Sequence, residues 1–149
     1  AYAQRFGFKK IYSTEIVPEI AERAKLRFKN DPSVEILTGN STEMMRATIA
    51  TIPGNCIFWL DAHFPGAEEG LEQYNAYNDE SVKLPLEQEV LAIKELRAGF
   101  KDVILIDDLR IYEEGPFDSG NLPDNILPPK VRNTEFVTIH LGKTNTVLK

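Results

Sequence analysis

No stretch of this 149-residue chain comes near the roughly 18 consecutive apolar residues of a membrane-spanning helix, so a membrane partner is not expected. Clustered basic charge is missing as well. The 17 Lys and Arg residues are scattered among 23 Asp and Glu, and the net charge of -6 argues against nucleic acid, whose phosphates are bound mainly through grouped cations. There is a single cysteine, Cys56, with no second thiol to pair with; this fits a reducing, cytoplasmic setting. Residues 1–10 lack the charged-then-apolar layout of a secretory leader, and no internal repeat or low-complexity tract is visible. With 42% hydrophobic residues, the chain is long enough for one domain with a core and too short to suggest two.

What is present is organised around IFWLDAHFPG, residues 57–66. Four apolar residues, Ile57 to Leu60, are too few for a helix. They suit a strand buried on both faces, as in a parallel sheet flanked by helices, with Phe58 and Trp59 read as core. Asp61 and His63 then stand where the strand leaves the sheet, the end at which open α/β sheets bind ligands. VILIDD, residues 103–108, repeats the pattern and brings Asp107 and Asp108 to a second strand end.

Gly7 closes a short helical tail, and residues 10–15 alternate into a strand ending on Glu15. Pro18 opens a helix with Glu19 and Glu22 near its positive end and an apolar stripe through Ile20, Ala24 and Phe28. A strand over 34–38 turns at Gly39, and Asn40 with Glu43 resembles a capping box opening a helix through about Thr51. The stretch from Ala62 to Leu84 reads as a long loop, with five acids and no base in AEEGLEQYNAYNDE. It suits either a lid or a solvated excursion. Pro85 starts a helix with Leu86, Val90 and Ile93 inward and Gly99 as its stop. Residues 115–129 read as loop, and 135–149 as an antiparallel hairpin around Gly142. The predicted architecture is therefore α/β: a Rossmann-like, doubly wound, mostly parallel sheet with an antiparallel C-terminal edge.

Glu15 stands where dinucleotide-type folds place an acid on the ribose hydroxyls, or else caps the helix at Pro18. Gly39, Asn40 and Ser41 at the next strand end outline, with Glu15, a nucleoside-binding region; Asn40 also fits a plain N-cap. Asp61, Asp107 and Asp108 crowd like charges together, an arrangement favoured when a cation neutralises them. Oxygen-only ligands suit Mg²⁺ or Ca²⁺, which can hold two substrate oxygens and acidify a bound hydroxyl. The other reading of the aspartate pair is a turn cap or an ion pair with Arg110. His63 is placed to act as general base, or is a structurally bonded histidine; His140 is read as structural.

In order, KKIYSTEI, VEILTGNS, IFWLDAHF and VILIDDLR resemble the class I S-adenosylmethionine-dependent methyltransferases, most closely a bacterial family with WLD-[AG]-H-[YF] and IDD-[AL]-R segments. The resemblance covers nearly the whole chain. It implies Glu15 and the neighbouring Ile16 at the cofactor ribose, Asn40 and Ser41 near the adenine, and the Asp61 segment at the methyl-transfer centre. Metal-dependent O-methyltransferases carry an acid after the fourth strand and an acid pair after the fifth, positions matched by Asp61, Asp107 and Asp108. In them a divalent ion, commonly Mg²⁺, chelates the acceptor hydroxyl of a small molecule. No GxGxG is found, and the family's first strand and Gly-rich loop are expected upstream of Ala1, so an N-terminally incomplete domain is anticipated. The absent strand would lie between those at 10–15 and 56–60, exposing edges that favour a homodimer. Two other functions compete with this one. A non-catalytic binding or oligomerisation module fits the missing Gly-rich loop; a nucleotide hydrolase using VILIDD as its Walker B strand would need a GxxxxGK[ST] that the chain lacks.

Overall fold

The computed structural model describes residues 3–63, 79–113 and 146–148. The strands are β1 (Ile11–Glu15), β2 (Val34–Thr38), β3 (Ile57–Leu60), β4 (Val103–Ile106) and β5 (Thr146–Leu148). The helices are α1 (Pro18–Phe28), α2 (Ser41–Thr48), α3 (Glu80–Lys83) and α4 (Leu86–Leu96). Two compact units emerge, one carrying β1, α1, β2 and α2, the other β3, α4, β4 and β5. This is an α/β chain with small parallel sheets.

In the first unit β1 and β2 pair in parallel, with Ile11 opposite Val34 and Glu15 opposite Thr38. The ladder runs one step further, the Gly39 N–H donating to the Glu15 carbonyl at 2.9 Å. α1 makes the crossover that parallel pairing requires. Its first turn is set by Pro18 and by the Val17 N–H, which donates to Glu15 Oε1 at 2.8 Å. Val17, Ala21 and Met45 are buried here. The stripe through Ile20, Ala24 and Phe28 is only half-buried, so α1 presents its innermost contact one residue away, at Ala21. Asp31 Oδ1 accepts from both the Ser33 N–H (2.9 Å) and the Ser33 hydroxyl (2.6 Å), an Asx-turn that leads into β2.

The second unit is built on a parallel sheet in the order β3-β4-β5. Ile57 faces Val103 and Leu60 faces Ile106 in register, and the Asp107 N–H donates to the Leu60 carbonyl at 3.0 Å. α4 buries Leu86, Glu89, Val90 and Ile93, the i, i+3, i+4, i+7 spacing of one helical face. Each fully buried aliphatic of this kind contributes about 1.5–3 kcal/mol.

The N-terminal ends of β3 and β4 are joined by a buried ion pair. Arg97 sits just past α4, and Asp102 just before β4. Arg97 Nε donates to Asp102 Oδ2 (2.7 Å) and Nη2 to Oδ1 (2.9 Å), the bidentate fork that a planar guanidinium favours. The remaining N–H groups reach the carbonyls of Ile49 (3.0 Å), Ile52 (3.1 Å) and Gly54 (2.5 Å), so all five donors are used. The Phe100 ring lies 4.1 Å from the guanidinium carbon. Asp102 Oδ1 also accepts the Cys56 N–H at 2.7 Å, which ties the residue before β3 to the residue before β4.

Three expectations change. β3 is not buried on both faces: Leu60 is buried, but Ile57 is 53% and Trp59 64% exposed, so Trp59 is not core. In the antiparallel hairpin expected over 135–149, only β5 falls within the described residues, and it pairs with β4 in parallel, Val103 opposite Thr146. The stretch expected to be loop over 62–84 contains α3, opened by Asp79, whose carboxylate accepts the Ser81 N–H at 2.8 Å. The lid segment at 64–78, the loop at 115–129 and His140 lie outside the described residues.

Candidate metal and cofactor site

Strand polarity decides where the acids go. Because β3 and β4 are parallel and in register, their carboxyl ends coincide, and Asp61 and Asp107 emerge side by side. Asp107 turns back on the chain: its Oδ1 accepts the Asp108 N–H at 2.8 Å. Asp108 takes a left-handed conformation, φ 46° and ψ 45°, in which Asp is better tolerated than most residues. A single turn over Leu109–Ile111 follows, anchored by buried Ile111 and Tyr112.

This turn brings Asp108, rather than Asp107, to Asp61. Asp61, His63 and Asp108 each offer one ligand atom, and the three atoms lie within 4.8 Å of one another. Both aspartates are exposed and His63 is half-buried. His63 follows Asp61 by two residues, so chain length alone keeps its backbone within about 7 Å. Nitrogen and oxygen ligands sit about 2.0–2.2 Å from a bound dication, so a pair sharing one ion is at most about 4.4 Å apart. Small side-chain rotations close the difference, and the donor set fits a divalent cation.

Two residues that sequence reasoning did not assign to the site enter here. Glu89 is buried (2% exposed), although its place in the first turn of α4 suggested only a favourable interaction with the helix dipole. Tyr112 is also buried. Burial first, and then the charges of Glu89, Asp61 and Asp108, push its phenol up from the ordinary value and keep it protonated. Its position four residues after Asp108 is a spacing no motif would have marked. The Cys56 thiol is likewise pushed up by burial, which makes it a poor nucleophile.

The predicted nucleoside residues gather at the carboxyl end of β1 and β2. Glu15 and Gly39 share a ladder bond there, with Ile16 directly after Glu15. Glu15 Oε1 accepts the Val17 N–H, the helix-capping arrangement. Asn40 Oδ1 accepts from the Thr42 (2.9 Å) and Glu43 (3.3 Å) N–H groups and is the N-cap of α2, with Ser41 as its first helical residue. Gly39 has φ +148°, and a Cβ there would meet Met44 Cε at 3.1 Å, so both backbone and packing favour glycine.

Comparisons with protein-family models, with curated proteins and with solved structures return no match.

Proposed function

We propose that this chain is a Rossmann-like methyltransferase domain that uses S-adenosylmethionine and a divalent cation to methylate a hydroxyl group of a small molecule. The observation that carries the reading is the convergence of Asp61, His63 and Asp108 at the carboxyl ends of two parallel strands. Glu15 and the Gly39–Ser41 turn, at the same end of β1 and β2, support it. When bound, the sulfonium cofactor supplies the methyl group and the cation acidifies the acceptor hydroxyl. Asp61 and Asp108 would hold the cation through their carboxylates. Glu15 would accept hydrogen bonds from the ribose through its carboxylate. His63 serves this chemistry in one of two ways, as base toward the hydroxyl or as a third ligand.

A second reading, a non-catalytic binding or oligomerisation module, draws on the exposure of Ile57 and Trp59 along one face of β3. Calorimetric titration with S-adenosylmethionine and S-adenosylhomocysteine, with and without divalent cation, separates the two. The methyltransferase reading expects binding that weakens in Glu15→Gln, a variant that keeps an oxygen for the Val17 N–H while removing the charge. Absence of binding by the folded chain refutes it and leaves the second reading.

A further inference from the structure

The three clustered side chains are not the oxygen-only set that the acids at the strand ends led one to expect. Asp107 is bonded to its own turn, and an imidazole takes the third place. Ligand type selects the ion: carboxylates alone suit Mg²⁺, Ca²⁺ and Mn²⁺, whereas imidazole nitrogen suits iron, nickel, copper and zinc and raises the affinity of a site for transition metals over Mg²⁺.

We propose that His63 is a metal ligand rather than the general base, and that Asp61, His63 and Asp108 form a mixed nitrogen–oxygen site for a first-row transition-metal dication, in preference to Mg²⁺. Three protein ligands leave open positions, which a substrate's oxygens or water can fill. The proposal rests on the cation part of the reading above and is independent of S-adenosylmethionine.

The test uses the whole chain with Mn²⁺ and Mg²⁺ chlorides as probes. Calorimetry gives both affinities, and pulsed electron paramagnetic resonance of the Mn²⁺ complex reads nitrogen coupling directly without any substitution. The expected result is nitrogen coupling in the unmodified protein and a loss of at least about tenfold in Mn²⁺ affinity in His63→Gln, with Mg²⁺ affinity changing less than about twofold. Mn²⁺ binding without nitrogen coupling, or an unchanged Mn²⁺ affinity in His63→Gln, overturns the assignment of His63. If Asp61→Asn abolishes binding in that case, the cation reading survives while the ligand proposal falls. Failure of either ion to bind the folded protein overturns both.

Discussion

The two ends of the β3–β4 strand pair both carry aspartates, and the aspartates have opposite fates. At the amino ends Asp102 is 1% exposed, and its two oxygens receive Arg97 twice and the Cys56 N–H once. At the carboxyl ends Asp61 and Asp108 are exposed, with a ligand atom of half-buried His63 within 4.8 Å of each. The side chain is the same, and what differs is burial. Enclosed with Arg97, the carboxylate sets strand register; exposed at the strand ends, the carboxylates stand where solvent and ions reach them. Fixing Cys56 against Asp102 also fixes Leu60 against Ile106, because the register is continuous. The buried pair therefore aligns the exposed one.

The contrast can be broken most forcefully at Asp102. Asp102→Ala strands a buried guanidinium, and loss of one partner of such a pair costs about 3–5 kcal/mol. Chemical denaturation should show that loss, and a cost below about 1 kcal/mol would mean that the three carbonyls alone satisfy Arg97. Removing charge at the other end should do far less. Without added metal, Asp61→Asn is expected to change stability by no more than about 0.5 kcal/mol, as for an ordinary surface position. A large destabilisation would make Asp61 a structural residue instead.

The smallest effect concerns a third kind of carboxylate, half-buried and hydrogen-bonded. The Ser33 hydroxyl first, then the Gln4 amide and the Ser33 N–H, hold Asp31 below the usual 3.8. A depressed folded value stabilises the native state above the unfolded pKa, and the gain is lost as pH falls through the folded value. Stability should therefore drop slightly on acidification below about pH 4, and Asp31→Asn should flatten that part of the profile. An identical acid limb in the variant would assign the drop to other groups.

Local pattern carried much of this to the sequence level. β2 and β4 fall on the predicted residues, and the inward face of α4 was visible in the spacing of Leu86, Val90 and Ile93. Parallel pairing followed from the alternation of strand and helix. What was hidden depends on distance along the chain or on one backbone angle. Arg97 at a helix end looks like a cation favouring the helix dipole; its carbonyl partners lie 43 to 48 residues earlier, where no periodicity points to them. Asp107 and Asp108 are indistinguishable as letters, and the left-handed turn at Asp108 decides which one joins Asp61. Trp59 looked buried because IFWL is apolar throughout, which masks the alternation of a strand with one open face.

Trp59 has a practical consequence. It is the only tryptophan in the chain, it is well exposed, and it lies two residues before Asp61. The protein thus carries its own fluorophore beside the acids, reachable by solvent and by paramagnetic ions. Its emission reports on the carboxyl end of β3 with no label and no second indole to obscure it.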